Sequence, residues 1–328
     1  MALKVALLGA GNVARNSYLP YLSRRAGVEL SYYSRTRARA EACAADFGGS
    51  VAASLEELLA AEPDTVLVLT HETQRYEAAL ALLDYRPKRV FFEKPLVAMA
   101  GQDSVTEDDF FRAREVLAGA AAVGAETAMI FNYRFFDQTV RARALVAQRG
   151  WGALRQAALV VNYACWSHCI DLLGLFGGPL ATITALAGGV EYEGAVDVAA
   201  AFQLANGASG TILGSRGIDF GLPLYEMTFN FEGGLLRFTD LDGPLEVFDP
   251  ASRYVESHGL RANFNRWAQY EDSFAKSLAA YLDSIEAGDP PPVPGRAGLA
   301  ELQFEAALRR SAALGRPVDA AGEFPLDF

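Results

Sequence analysis

The run Gly9-Ala10-Gly11-Asn12-Val13-Ala14 constrains this chain more than any other feature. It follows a buried-strand pattern, Leu3 to Leu8, and opens a helical region, Asn12 to Arg25, interrupted near Pro20. Gly9 permits a tight turn and Gly11 lets backbone amides approach a pyrophosphate. Ala14 stands where a third small residue allows close helix–strand packing. The helix N-terminus adds unpaired N–H groups and a partial positive charge for an anion. A glycine turn by itself is equally compatible with a structural bend. Repeated strand–helix units behind it favour a dinucleotide site lined by Gly9, Gly11, Asn12 and Val13.

Those units are legible as patterns. Strands are expected at Val28–Ser34, Thr65–Thr70, Arg89–Phe92 and Glu126–Phe131, and helices at Arg37–Phe47, Leu55–Ala61, Gln74–Asp84 and Phe110–Val123. Such alternation implies a parallel sheet covered on both faces. After about residue 150 the texture changes. Longer strands are expected at Gln156–Tyr163, Ala181–Val190, Val196–Leu204, Ala208–Ser215, Tyr225–Glu232 and Leu235–Asp240, with turn signals between several of them. One helix, about His168 to Phe176, interrupts the series, and helices Trp267–Ile285 and Leu299–Leu314 close it. The expected fold class is α/β, with a Rossmann dinucleotide-binding domain over 1–125. An α+β domain with an antiparallel sheet and helices on one face is expected over 126–328.

Composition narrows the partners. The 328 residues are 51% hydrophobic and 21% charged, which suits two globular cores and excludes a disordered chain. A net charge of −11 disfavours nucleic acid and anionic membrane surfaces, and no stretch of 18 apolar residues is present. Three cysteines cannot build a disulfide framework, and no leader pattern opens the chain, so a cytoplasmic protein is expected. Only four of the 29 basic residues are lysines: Lys4, Lys88, Lys94 and Lys276. Each therefore invites the question of why arginine would not serve.

Coenzyme choice is decided after the second strand, where an NAD site places a carboxylate on the ribose 2′-hydroxyl. This chain reads Tyr33-Ser34-Arg35-Thr36-Arg37, with no acid between Glu29 and Glu41. Ser34 and Thr36 can donate hydrogen bonds, and Arg35 can meet a 2′-phosphate in a charged fork. A solvated basic helix start is the plainer alternative. NADP(H) is favoured over NAD(H). Thr70, Glu93 and Lys94, at the ends of later strands, complete the expected coenzyme set.

Phe91-Phe92-Glu93-Lys94-Pro95 ends a buried strand with two charges. Strand C-termini of a parallel sheet line the ligand crevice, and a charged pair there is costly unless solvated or used. An ordinary strand-end pair remains an alternative.

The glycine turn, Glu93-Lys94-Pro95 and Asn132-Tyr133-Arg134-Phe135 together resemble the glucose–fructose oxidoreductase / inositol dehydrogenase (Gfo/Idh/MocA) family. The resemblance extends over essentially the whole chain, and Glu-Lys-Pro about 80 residues after the glycine turn is its most specific element. It implies a C-terminal domain with a large, mainly antiparallel open sheet used for oligomerisation, hence a homodimer or homotetramer. It also implies hydride transfer between a nicotinamide and a sugar, cyclitol or related carbonyl or alcohol. Lys94 matches the family's lysine at the reacting oxygen. His168, in Trp166-Ser167-His168-Cys169-Ile170-Asp171, matches its catalytic histidine. Four residues before that histidine the family usually has an aspartate; this chain has Ala164. The departure removes a group that would orient substrate or tune the imidazole.

In the first turn of a helix, His168 would be kept neutral by the dipole and could exchange a proton with a hydroxyl or carbonyl oxygen. A capping or packed histidine is the alternative, and His71 and His258 are read as structural. Asn132, Tyr133, Arg134, Tyr163 and Trp166 are candidate substrate residues, since aromatic faces pack on sugar rings and Arg or Asn bonds hydroxyls. Asp171 is a further candidate that could instead orient a neighbour. Cys165, His168 and Cys169 lack a distant partner set, so no metal is expected. The expected activity is an NADP(H)-dependent oxidoreductase on a polyol or keto-sugar-like small molecule. A dinucleotide-binding sugar sensor and an imine reductase are the alternatives, and an NAD-dependent glycosidase fits less well.

Overall fold

The computed structural model describes residues 2–192, 195–216 and 222–328. Its chain divides into two compact units, one of Met1–Ile130, Phe274–Leu302 and Asp327–Phe328, the other of Phe131–Ser273 and Gln303–Leu326.

In the first unit β1 (Leu3–Leu8) is followed by a π-helical turn, Ala14–Tyr18, that runs into α1 (Leu19–Leu22). The expected interruption near Pro20 is thus a change of helix type, with Pro20 inside the first turn of α1, where its missing N–H costs nothing. Next come β2 (Val28–Tyr33), α2 (Arg37–Phe47), β3 (Ser50–Val51), α3 (Leu55–Ala60) and β4 (Thr65–Val68). After these stand α4 (Glu72–Leu83), β5 (Arg89–Phe92), α5 (Glu107–Val123) and β6 (Glu126–Met129). The six strands form a parallel sheet in the order β3-β2-β1-β4-β5-β6. Strand order reverses between β1 and β4, and this is the point at which doubly wound sheets bind ligands. The centre of the sheet is buried: Val5, Leu7, Val66, Leu67, Val90 and Phe92 are all at 0% exposure. Thr106 and Asp109 form a reciprocal capping box that starts α5 three residues before the expected Phe110. The segment just before Arg296 joins this unit by pairing with β6: Met129 N donates to Val293 O at 3.0 Å and Gly295 N to Thr127 O at 2.9 Å.

The second unit opens with a 3-10 turn, Asn132–Phe135, then α6 (Asp137–Arg149) and β7 (Leu154–Asn162). There follow α7 (Trp166–Gly177), β8 (Leu180–Tyr192), β9 (Ala195–Leu204), β10 (Ser209–Ser215), β11 (Tyr225–Phe231), β12 (Gly234–Thr239), β13 (Leu245–Phe248) and β14 (Val255–His258). The chain ends with α8 (Arg266–Ala287), α9 (Arg296–Leu314), β15 (Val318–Asp319) and α10 (Ala320–Glu323). The nine-stranded sheet runs β14-β13-β12-β11-β7-β10-β9-β8-β15. It is the expected large sheet, with one exception to antiparallel order: β10 runs parallel to β7. Side chains alternate, burying Met227, Phe229, Leu236 and Phe238 on one face, where Phe176 of α7 lies 5.0 Å from Phe229. Val160, Leu186 and Leu213 are exposed.

Candidate functional site

In the first unit the glycine turn is gripped by its neighbours. Gly9 N donates to Tyr33 O, at the end of β2, at 2.9 Å. Its φ is +108°, and a Cβ there would lie 2.8 Å from the backbone of Leu69 and Thr70 beyond β4. Only glycine satisfies both demands. Gly11 is different: a Cβ would meet nothing within 4 Å, so open space lies over the turn. Arg15 N donates to Gly11 O at 3.1 Å, the first helical bond. Asn12 and Val13 are exposed, while Ala14 is wholly buried, as the packing role of a small residue requires.

Beyond β2, Ser34 is half-buried and Arg35 and Thr36 are exposed. Arg35 donates to the Gln74 side chain of α4, and Thr36 is the N-cap residue of α2. No acidic side chain stands in the first turn of that helix. Thr70 Oγ1 is buried without a hydrogen-bond partner. The open space over Gly11 and the Thr70 hydroxyl beside Gly9 are what a dinucleotide's polar groups would meet, so the residues present fit that coenzyme.

Glu93 follows β5 and is 5% exposed; Tyr18 donates its hydroxyl to Glu93 Oε1 at 3.2 Å. Burial pushes this carboxyl above the usual carboxylate range, against the pull of Lys94, Arg75 and the Tyr18 hydroxyl. Half-buried Lys94 donates from Nζ to Gln102 Oε1 at 3.0 Å, and its peptide bond to Pro95 is cis. Arg75 donates to the carbonyls of Thr70, at 2.8 Å, and of Pro95. Arg75, Tyr18 and Gln102 were absent from the sequence expectation. Arg75 did leave a signal, because it falls on the same helical stripe as buried Ala79 and Leu82, where an apolar residue is the norm.

The second unit gathers most of the remaining candidates. His168 sits in the first turn of α7 and is 2% exposed. Tyr133 stacks on its ring at 4.1 Å with 9° between planes, and Phe131 meets it edge-on at 6.0 Å. The Tyr133 hydroxyl lies 3.2 Å from Cys165 Sγ. Arg134 donates from Nε and Nη2 to the two carboxylate oxygens of Asp171, at 2.8 and 2.6 Å. Burial raises the Asp171 carboxyl while Arg134 opposes that shift. Asn132, wholly buried, donates to Ser273 Oγ at 2.7 Å. Tyr163 donates its hydroxyl to Val196 O and meets Trp166 edge-on at 5.4 Å. A Cβ on Gly214 of β10 would collide with both of these rings.

Asn132, Tyr133, Arg134 and Asp171 are thus engaged with partners inside their own unit. His71 caps α4, accepting from Thr73 N, and His258 Nε2 stands 3.6 Å from Glu256. Among the described residues no group of three His, Cys, Asp or Glu is placed to hold a metal ion. Nor, among them, is any helix long and apolar enough to cross a membrane.

Comparison with known proteins agrees with this fold. An oxidoreductase from Agrobacterium radiobacter, solved with NAD+, L-tartaric acid and magnesium, superposes with a TM-score of 0.80 at 18% identity, covering 98% of this chain and 100% of that one. The WlbA dehydrogenase from Bordetella pertussis, solved with NADH and UDP-GlcNAcA, gives 0.74 at 18% identity over 97% of each chain. UDP-N-acetylglucosamine 3-dehydrogenase GnnA from Acidithiobacillus ferrooxidans gives 0.75 at 19% identity over 96% of this chain and 100% of that one. These likenesses show a shared fold. No curated protein matches by sequence. The family model described as "oxidoreductase family, NAD-binding Rossmann fold" matches residues 3–107, which span the glycine turn, Thr70, Glu93 and Lys94. Over residues 3–107 this chain is therefore similar to the NAD-binding Rossmann fold of the Gfo/Idh/MocA oxidoreductase family.

Proposed function

We propose that this protein is an NADPH-dependent oxidoreductase acting on a polyhydroxylated, sugar-like carbonyl or alcohol. The observation that carries this reading is Lys94, one of four lysines, set at the end of β5 between a buried carboxyl and a buried proline in the unit that holds the glycine turn. When bound, the nicotinamide supplies or accepts the hydride. Lys94 offers ammonium protons to the reacting oxygen, stabilising charge as it develops there. His168 is the proposed proton carrier, held by Tyr133 in one plane. The sugar-like substrate class is supported by the names of proteins with this fold, two of which concern UDP-sugars. Exposed Val160, Leu186 and Leu213 on the second sheet support assembly of copies through that face.

The preference for NADPH rests on Arg35, exposed beside Ser34 and Thr36 with no acid at the start of α2. Replacing Arg35 by Asp is expected to weaken NADPH binding at least about tenfold more than NADH binding, a difference near 1.4 kcal/mol. Equal losses would overturn the preference. Function is tested by following NADPH oxidation across keto sugars, sugar acids and UDP-linked keto sugars, with oxidation by at least one expected.

A second reading, a coenzyme-binding sensor that turns nothing over, is favoured by one set of contacts. Arg134 and Asp171 are spent on each other, and Ala164 brings no carboxylate to the start of α7. Tight NADPH binding with no turnover on any compound would select it.

A further inference from the structure

Arg75 is 3% exposed, and a guanidinium cannot shed its charge as a buried lysine can. Taking such a group out of water is costly, so its partners must repay it. Its hydrogen-bond partners are two backbone carbonyls in the loops that follow β4 and β5, and the Glu93 and Glu72 carboxylates attract it as well. Nη2 donates to Thr70 O, in the loop after β4 whose backbone touches Gly9. Nη1 donates to Pro95 O, one residue past Lys94. One planar fork thereby joins the loop that abuts the glycine turn to the loop that bears the lysine.

On the other side of Lys94, buried Glu93 is held by the Tyr18 hydroxyl at 3.2 Å. Both chain neighbours of Lys94 are therefore anchored, Glu93 through its side chain and Pro95 through its carbonyl. The freedom left at Lys94 is that of its own side chain, which reaches Gln102.

We propose that Arg75 is a positioning residue for Lys94, fixing where the ammonium stands relative to Gly9 and Thr70 by holding the Thr70 and Pro95 carbonyls in a single fork. The inference rests on the reading of Lys94 given above and requires nothing about the substrate. A lysine at position 75 keeps the charge without the fork, and a methionine keeps most of the volume with neither.

Four lysines make the test direct. Reductive methylation with 13C-formaldehyde labels each amine, and the Lys94 resonance is assigned by its loss in Lys94→Arg. In Arg75→Met this resonance is expected to move toward that of free dimethyl-lysine and to lose its response to NADPH, while NADPH still binds within about threefold of wild type. Arg75→Lys is expected to lie between the two. A Lys94 resonance in its wild-type position, with its wild-type NADPH response, would overturn the proposal. It would do so in Arg75→Met or, should that variant fail to fold, in Arg75→Lys. If the wild-type Lys94 resonance itself ignores NADPH, the reading of Lys94 falls, and its position in the two Arg75 variants still decides for or against Arg75.

Discussion

Tyr133 lies face to face with His168, ring centroids 4.1 Å apart, and its other neighbour in the stack is Phe136 at 4.3 Å. The imidazole plane is set by a column of rings whose middle member is tied to Cys165 through its hydroxyl. Tyr133 was a candidate for substrate contact, and its ring is engaged with the histidine. In Tyr133→Phe the column should persist; in Tyr133→Leu it should be lost, at a stability cost of about 1 kcal/mol beyond the area change. With three histidines in the chain, His168 ring-proton shifts report this directly. Upfield signals that survive Tyr133→Leu unchanged would contradict the stacked arrangement.

The bidentate Arg134–Asp171 pair carries a second expectation. Removing one member of a buried pair strands the other, so Asp171→Asn should cost about 3 kcal/mol in urea unfolding. Replacing both, as Arg134→Met with Asp171→Leu, should recover most of that loss. If Asp171→Asn costs less than about 0.5 kcal/mol, the pair does not hold the 3-10 turn to α7.

Gly9 and Gly11 should behave oppositely when changed to alanine. At Gly9 the positive φ and the 2.8 Å approach to Leu69 and Thr70 make Ala a folding defect, about 1–3 kcal/mol from strain alone. At Gly11 a methyl meets no protein atom, so melting should be unchanged while NADPH binding falls roughly tenfold or more. A Gly11→Ala variant with wild-type affinity would remove the coenzyme from this turn.

Alkaline titration gives a pH signature. Burial raises the phenols of Tyr133 and Tyr225 well above their usual value and that of Tyr163 to about 12. A folded pKa above the unfolded value near 10 means stability is complete below about pH 10 and is lost as pH climbs through 12. Phenolate absorbance should therefore rise in two phases, the second coincident with loss of near-ultraviolet circular dichroism. All thirteen tyrosines ionising together near pH 10 in a folded protein would contradict this burial.

Much of the fold was legible because its signals are local. The glycine turn, the three-residue apolar run Val90–Phe92 of β5 and the alternation in β11 announce themselves within a few residues. What was missed lacks that contrast. Helix α6 buries Gln138 and Thr139 beside Ala142 and Leu145, so its inner stripe does not read as apolar. β3 and β15 are two residues long and exist only through their neighbours. The parallel pairing of β10 with β7 joins segments about 50 residues apart, a choice set by tertiary packing and invisible in periodicity.

The candidate site divides along the same line. Residues marked by a motif were found where the motif placed them along the chain, at the ends of β1, β2 and β5. Roles set by long-range partners were not legible. Whether Arg134 would face a ligand or Asp171 depends on a residue 37 positions further along the chain, and nothing near Arg75 foretells its two carbonyls.

The most direct measurement is steady-state oxidation of NADPH by the wild-type protein and by Lys94→Met, with coenzyme affinity followed in parallel by fluorescence. With NADPH saturating, Lys94→Met should turn over at least about 100-fold more slowly, the usual scale for removing a group that stabilises or protonates a reacting oxygen. Turnover by Lys94→Met at the wild-type rate would contradict the account.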